Sequence, residues 1–148
     1  MKNIFGIMIL SVGFNLSVHA QQMVRYMATG PTFTVQEVGV IFAEKEGLMI
    51  ADLIMPVETL PKGYKPHGIQ KGDQLVMVNG SGIKTAKELE DFYAKAEVGS
   101  TIKLGFKRGD EKVLVTFAKA NPNDLPKRKI VKKVIDSDGK EKEITDGE

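Results

Sequence analysis

The stretch GIQKGDQLVMVNG, residues 68–80, most constrains the fold of this chain, because it places one short apolar run between two glycine-containing turns. The run, residues 75–78, favours a buried β-strand since it is apolar and bounded by turn residues. The dipeptide that ends it, Asn79-Gly80, is typical of a turn with positive φ angles. The entry, Gly72-Asp73, leaves three interpretations open: a phosphate-binding loop, a catalytic acid, or a turn in a small β fold.

The first two interpretations lack the residues that their chemistry requires. Lys71 precedes Gly72 and no Gly-Lys-Ser/Thr sequence occurs, which argues against a phosphate-binding loop. The only histidines are His19 and His67, and no Gly-x-Ser-x-Gly pattern accompanies them. We therefore expect no enzymatic activity, and we interpret Asp73 as an acceptor of backbone N–H groups that fixes a turn.

The composition suits one small globular domain with additional segments. The 148 residues are 42% hydrophobic and 27% charged, which is enough apolar content for a core at an ordinary charge density. A formal net charge of +2 argues against a dominant nucleic-acid-binding surface. Because the chain has no cysteine, disulfides and thiolate chemistry are excluded. We expect no cofactor and no bound metal.

The first 20 residues have the pattern of a secretory signal peptide. Lys2 gives a positive charge near the start, residues 4–18 form an apolar run, and Val18 and Ala20 suit a cleavage site. The run is too short for a membrane span, and no second one follows. We therefore expect a secreted or periplasmic protein without stable membrane insertion after cleavage. An uncleaved anchor or a buried N-terminal helix is the alternative interpretation.

The remaining sequence divides into a lead-in, a patterned middle and a charged tail. Residues 21–31 look like a lead-in, and residues 32–120 alternate strand signals with turns. Residues 121–148 hold two prolines, a run with five basic residues, and an acidic end. We expect this tail to be disordered or to form a weak hairpin turning at Asp138-Gly139. Binding of its basic run to anionic lipid or an acidic partner is a further interpretation.

The middle segment predicts several short strands and one helix. Thr85 is a candidate N-cap with Glu88 three residues later, the pattern of a capping box, and the helix is expected to run to about Ala96. Prolines and a glycine in residues 57–67 predict an irregular loop. Together these patterns predict a small α+β fold, a partly open β-barrel of about five strands with one main helix. The strand signals lie at residues 32–42, 48–55, 75–78, 101–107 and 112–118.

The order of these signals closely resembles a PDZ domain of the circularly permuted bacterial type, as found in HtrA-type and site-2 proteases. The family pattern is roughly Gly-Φ-x-x-Gly-Asp-x-Φ-x-x-Φ-Asn-Gly, then a helix, a Gly-x-x-Φ strand and an Arg-x-Gly hairpin, where Φ is apolar. The resemblance covers about residues 32–120, and no protease domain is expected in this chain. The matching residues are Gly68, Ile69, Gly72, Asp73, Leu75, Val78, Asn79, Gly80, Leu89, Gly99, Ile102, Arg108 and Gly109.

The resemblance implies that the protein captures an extended peptide as an added strand beside a sheet edge. The sequence Val38-Gly39-Val40 lines up with the loop whose backbone N–H groups bind a peptide carboxylate. Two alternatives stay open: Gly39 could be an ordinary β-bulge, and the helix residues could be pure core. The candidate peptide-binding residues are Val38, Gly39, Val40, Ile41, Phe42, Ala43, Leu89, Phe92 and Tyr93.

Two features depart from the family pattern. Residues 56–68 are about four residues longer than the family norm, and Tyr64 and His67 could extend a ligand surface, although a surface loop is the simpler interpretation. Glu37 stands directly before the glycine loop, where its charge would repel a carboxylate if it were exposed. Recognition of internal segments therefore stays as open as recognition of C-termini.

The sequence thus predicts a secreted, non-catalytic binding module that acts as a scaffold or regulator. Its partner is expected to be a protein or peptide with an extended or apolar C-terminal segment, and not a nucleic acid. Two alternatives are a structural subunit that self-associates through a sheet edge and an accessory subunit of a separate protease. The sequence leaves the oligomeric state open.

Overall fold

The computed structural model describes residues 23–28, 30–65, 67–126, 129–135 and 138–146. The predicted signal peptide, residues 1–20, lies outside the described residues. In chain order the elements are β1 (Met23–Ala28), β2 (Thr32–Val35), β3 (Val40–Lys45), β4 (Leu48–Ile54), β5 (Gln74–Val78), β6 (Ser81–Gly82), α1 (Ala86–Lys95), β7 (Thr101–Arg108), β8 (Glu111–Ala118), β9 (Lys129–Ile135) and β10 (Glu141–Asp146). Two short 3-10 turns cover Val57–Thr59 and Pro122–Asp124.

The main sheet has the strand order β2-β3-β4-β5-β7-β8, and β6 pairs with β5 beside this path. All of its neighbouring strands are antiparallel. Its end strands, β2 and β8, do not pair with each other, so the sheet is not closed into a barrel. The prediction of a small α+β fold with one main helix is confirmed, with more strands than the five expected.

Tight turns occur where the sequence predicts them. Glu46 and Gly47 have φ angles of 51° and 73°, and they join β3 to β4 with Lys45 opposite Leu48. Asn79, with a φ of 48°, begins the turn that the Asn-Gly dipeptide indicates. Positive φ at both residues of a two-residue loop matches the twist of the flanking strands.

Helix α1 begins at the predicted capping box. The hydroxyl of Thr85 accepts the N–H of Glu88 at 3.1 Å, and the Glu88 carboxylate accepts the N–H of Thr85 at 3.2 Å. The helix ends at Lys95, next to the predicted end at about Ala96, and the Ala96 N–H still donates to the Phe92 carbonyl at 3.0 Å. Its buried face carries Ala86, Leu89 and Tyr93, the spacing of one helix face.

A second sheet, with the strand order β1-β9-β10, joins the strand before the main sheet to the two strands after it. The lead-in predicted at residues 21–31 contains strand β1, which pairs in parallel with β9. In the tail, β9 and β10 form an antiparallel hairpin, and Lys133 contacts Glu141 at 2.7 Å. The sequence signals indicate no strand in residues 21–31, and the tail residues that the structure describes form a hairpin, one of the two possibilities stated for them. A parallel pair needs a long connection, which local sequence patterns do not reveal.

Strand β3 is buried on both faces. Val40 and Phe42 face the main core, where the Phe42 and Phe106 rings stack with centroids 6.0 Å apart. Ile41 packs on the other side in a cluster with Tyr26 and other residues of the second sheet and of β4. The strand with most of the predicted site residues is therefore held rigidly. No helix among the described residues is long and apolar enough to cross a membrane.

Candidate functional site

Of the predicted site residues, Val38, Val40, Phe42, Leu89 and Tyr93 share the main core between β3 and α1, whereas Ile41 packs on the opposite face of β3. Helix α1 packs against both β2 and β3. Most of these side chains are fully buried rather than lining an open groove, and the exceptions are Phe92, which is half-buried, and Gly39, which has no side chain. Those buried are Val38, Val40, Ile41, Phe42, Ala43, Leu89 and Tyr93.

The edge of β3 is already paired with the chain's own strand β2. Opposite residues along this antiparallel pair include Thr32 with Ala43 and Val35 with Val40. The sequence pattern predicted one strand over residues 32–42, and this is wrong because a turn breaks the segment at residues 36–39. Gly39 closes that turn with a φ of 64°, and its N–H donates to the Gln36 carbonyl at 3.2 Å.

Alternate side chains of β2 reach the core beside the helix. Val35 is 0% exposed, and Phe33 places its ring centroid 5.3 Å from that of Tyr93 on α1. Thr32 and Thr34, on the opposite face, are half-buried. This apolar–polar alternation is that of a strand with one face in the core.

The glycine loop is already engaged by its surroundings. The Gly39 carbonyl accepts the Met55 N–H at 2.7 Å. A Cβ on Gly39 would lie 2.3 Å from the Cδ2 atom of Leu60. Because the Gly39 N–H bonds within its own turn, that donor does not point freely at an incoming carboxylate.

Glu37 is turned inward instead of facing the loop exterior. Its side chain is 3% exposed, and Oε1 accepts the N–H of Ala120 at 3.1 Å. Burial, and secondarily the Glu37 charge, raise the pKa of the Tyr93 phenol well above its ordinary value. The condition stated for repulsion of a ligand carboxylate, an exposed Glu37, is not met because this side chain is buried.

Gly72-Asp73 forms a turn, as the third interpretation stated, and the Asp73 side chain stabilises it. Asp73 Oδ2 accepts the Gln70 N–H at 2.8 Å, and both carboxylate oxygens accept N–H groups of Arg108 at 2.7 Å. Arg108 also donates to the carbonyl of Gly68 at 2.9 Å. The hydrogen bonds from Arg108, above all, lower the pKa of Asp73. The sequence predicted the backbone bond, whereas the 35-residue separation of the ion pair gives no local signal.

The long loop before this turn packs against the end of β8. The Tyr64 hydroxyl donates to the Ala118 carbonyl at 2.9 Å. His67 is exposed with a φ of 55°, and its ring centroid lies 6.4 Å from that of Phe117. The surface-loop interpretation therefore accounts for both residues.

Residues 34–118, more than half of the chain, match the sequence profile of the family described as PDZ domain. The chain belongs to the PDZ domain family. Among solved structures it is similar to the PDZ domain of the SdrC-like protein from Listeria monocytogenes, with 18% identity over 68% of this chain and 88% of that one and a TM-score of 0.36. No curated protein matches the sequence. PDZ domains are protein- and peptide-binding modules, typically without catalytic activity.

A second polar cluster, not found by sequence reasoning, holds β1 of this PDZ protein against β4. The Tyr26 hydroxyl donates to Asp52, and Lys45 contacts the same carboxylate at 2.5 Å. Burial and the Asp52 contact raise the pKa of Tyr26. Burial alone would raise the pKa of Asp52, but its bonds from Lys45 and Tyr26 outweigh that and lower it. The register irregularity of β3 and β4 leaves Asp52 without an opposite residue.

A cavity of about 380 Å³ lies along the outer edge of β2 in this PDZ domain. Phe33 and Thr34 line one side, Glu90 and Tyr93 of α1 the other, and the segment around Ala120 closes one end. The Tyr93 hydroxyl is buried and has no hydrogen-bond partner within the described part of the chain. Within the same residues no group of three or more His, Cys, Asp or Glu side chains could hold a metal ion.

Proposed function

We propose that this protein is a non-catalytic module that captures an extended peptide as an added strand along Val40–Ala43, with alternate apolar side chains directed at Leu89, Phe92 and Tyr93. The observation that carries the proposal is the position of β2. An extended segment with alternate apolar residues fits between the edge of β3 and helix α1, and it runs antiparallel to β3 towards the Val38–Val40 loop. Strand addition of this kind takes affinity from main-chain bonds and specificity from alternate side chains.

Side-chain pockets, and not a terminal carboxylate, supply most of the recognition in this proposal. The Gly39 N–H is engaged by Gln36, and the nearby Glu37 carboxylate is buried in the loop. Both features weaken the case for an anion site at Val38–Val40. The partner is then a protein or peptide with an extended apolar segment, internal or C-terminal, and not a nucleic acid.

A direct binding experiment tests this function. Fluorescein-labelled peptides carrying Thr-Phe-Thr-Val are titrated in three forms: a free C-terminal acid, a C-terminal amide, and the same motif followed by four glycines. We expect dissociation constants on the order of micromolar for all three, within about threefold of one another. A control peptide with Thr-Ala-Thr-Ala should bind at least ten times more weakly. If the free acid binds more than tenfold more tightly than the amide, the Val38–Val40 loop binds a terminal carboxylate after all.

Export of the protein and the circularly permuted type of its PDZ domain are also proposals. The apolar N-terminal run supports export, and thus a secreted or periplasmic scaffold or regulator. The place of β8, the last strand of the matched region, at the far end of the main sheet supports the circularly permuted type. Mass spectrometry of the exported protein should find a chain that begins at Gln21. A mature chain that retains Met1 would contradict export by cleavage.

We also expect the protein to have no hydrolytic activity. His67 lies exposed in a loop, and its ring packs near Phe117 rather than against a nucleophile. A nucleophile–base pair requires side chains within hydrogen-bond reach. Purified protein should not cleave casein or ester substrates, and turnover that survives His67→Ala would reveal a site of another kind.

A further inference from the structure

We propose that β2 is an intramolecular ligand: it occupies the peptide groove of this PDZ domain, and an extended peptide with an aromatic-x-aliphatic pattern binds by replacing it. This inference rests on the proposed function of the same groove. It adds two things, namely the chemistry of the preferred partner and competition between that partner and a segment of the chain itself.

The first support is the hydrogen-bond register of β2. Pro31 and Glu44 lie opposite each other, and the Glu44 N–H donates to the Pro31 carbonyl at 2.9 Å, so they form a hydrogen-bonded pair. In an antiparallel ladder bonded and non-bonded pairs alternate. Phe33–Phe42 and Val35–Val40 are therefore bonded pairs, and the backbone groups of β3 that an external strand would need are already used.

The second support is the side chains that β2 inserts. Val35, at the end next to the glycine loop, is 0% exposed in the main core. Two residues earlier, Phe33 lies against Tyr93 of α1. A competing peptide would fit best with a valine-sized aliphatic residue in the first place and an aromatic residue in the second. Polar residues suit the places of Thr32 and Thr34, which face away from this core.

The third support is the way in which β2 is attached. Four residues, 36–39, connect it to β3, so it competes as a tethered segment with a high effective concentration. An external peptide reaches only the fraction of molecules whose β2 has left, and its apparent affinity falls by that fraction. Because β2 has only four residues, a modest loss of its contacts should raise this fraction.

One test weakens β2 without altering the groove. Phe33→Ala removes the ring contact with Tyr93, whereas Thr32→Ala, the matched control, changes a half-buried side chain on the other face. In anisotropy titrations with the labelled Thr-Phe-Thr-Val peptide, we expect at least tenfold tighter binding to Phe33→Ala and less than twofold change for Thr32→Ala. Circular dichroism verifies that both variants are folded.

A covalent lock gives the opposite perturbation. Thr32 and Ala43 form a non-bonded antiparallel pair, whose Cα atoms lie about 4.5 Å apart, within disulfide range. The chain has no cysteine of its own, so the double variant Thr32→Cys/Ala43→Cys forms one defined bridge. The oxidised variant should lose peptide binding at least tenfold, and reduction of the same sample should restore it. Equal binding before and after reduction would overturn the replacement of β2.

Hydrogen exchange shows where the peptide sits. On saturation, the amide of Phe33 should exchange faster because it leaves β3, while the amide of Phe42 stays protected by the new strand. If instead the Thr34 amide gains protection and Phe33 keeps its own, the peptide adds to the outer edge of β2 and the inference is wrong. A peptide-independent dimer in sedimentation, in which β2 exchanges between copies, would also overturn it.

The outcomes separate the two proposals. Equal affinity for the wild type and Phe33→Ala, with unchanged binding to the oxidised double variant, contradicts the intramolecular ligand and leaves peptide binding intact. No binding to the wild type, to Phe33→Ala or to the reduced double variant, all folded, contradicts the proposed peptide-binding function itself.

Discussion

At the scale of single residues, Asp73 joins the most informative stretch of the sequence to a distant strand. Its carboxylate is 2% exposed and is bonded on one side to the Gln70 backbone and on the other to Arg108. The adjacent backbone is bonded to β4, since the Gly72 N–H donates to the Ala51 carbonyl and the Ala51 N–H to that of Asp73. The carboxylate therefore joins the loop to β7, the backbone of the same turn joins it to β4, and the hydrogen bonds described for the carboxylate include no catalytic partner.

Replacement of Asp73 should reduce stability without affecting any reaction. We expect Asp73→Ala to lower the free energy of unfolding by about 2–3 kcal/mol, because it removes charge-assisted bonds and leaves the Gln70 N–H unpaired. Urea denaturation followed by circular dichroism measures this change. Lys87→Ala, which breaks an exposed ion pair with Asp91, is the control and should change stability little. Equal losses of unfolding free energy in Asp73→Ala and Lys87→Ala would contradict a stabilising role of the Asp73 bonds.

The same carboxylate predicts a pH dependence with a definite sign. Its pKa is lowered in the folded state, mainly by Arg108, whereas an unfolded aspartate titrates near about 3.9. The stabilisation is therefore complete above the unfolded pKa and is lost as the pH falls through the folded one. The stability difference between the wild type and Asp73→Asn should be constant above about pH 5 and shrink below about pH 4. A difference that grows on acidification would contradict this assignment.

Gly39 is required by packing as well as by its φ angle. Gly63 also has a positive φ, of 87°, but a Cβ there would meet no described atom within 4 Å, whereas a Cβ on Gly39 would meet Leu60. We expect Gly63→Ala to cost about 1 kcal/mol and Gly39→Ala about 2–4 kcal/mol in thermal unfolding. The double variant Gly39→Ala/Leu60→Ala should recover part of the difference.

Residues whose role is local were predictable, and those whose role depends on distant partners were not. The positive φ of Asn79 and the capping box of Thr85 follow from side chains within a few positions. Glu37 could not be placed, because its partner, the Ala120 backbone, is 83 residues away. Burial of its charge is decided by the folded packing around it and leaves no local pattern.

At the scale of elements, the helix supports the groove from one side. The capping box fixes where α1 begins, and hence which of its side chains face β2. Thr85→Ala should lower the free energy of unfolding by about 1 kcal/mol, and Thr85→Ser, which retains the hydroxyl, should have almost no effect. Differential scanning calorimetry resolves the two. Equal melting temperatures for both variants would show that the cap contributes nothing.

The predicted strand boundaries are wrong where two strands follow each other closely in the sequence. Residues 32–35 alternate with period two and residues 38–42 form an apolar run only two residues later, so β2 and β3 look like one strand signal in the sequence. The turn lacks a strong turn dipeptide and depends on Gly39 and on its bond to Gln36. The sequence pattern therefore predicts β2 as part of β3, whereas the structure forms a separate strand that pairs with β3 beside α1.

At the scale of the whole molecule, the second sheet, formed by β1, β9 and β10, packs against strand β3. The second sheet places Tyr26 and Ala28 against Ile41, on the face of β3 opposite the main core. PDZ family membership accounts for residues 34–118, and the strands β1, β9 and β10 lie outside that range. Family resemblance could therefore predict the middle of the chain, whereas the pairing of two segments about 100 residues apart had no counterpart in the family pattern.

This arrangement predicts how the support depends on β9. In the described sheets β1 pairs only with β9, so a chain that ends at Pro126 removes its ladder partner, whereas a chain that ends at Ile135 removes β10 alone. Hydrogen exchange should show β1 amides at least tenfold less protected in the shorter chain and nearly unchanged in the longer one, because unpaired strand amides are open to water. Amides of β5 and β7, inside the matched PDZ range, should keep their protection in both. If the β1 amides are equally protected in the two truncated chains, packing of β1 on Ile41 is enough to hold β1 in place. Pairing with β9 would then not be required to cover this face of β3.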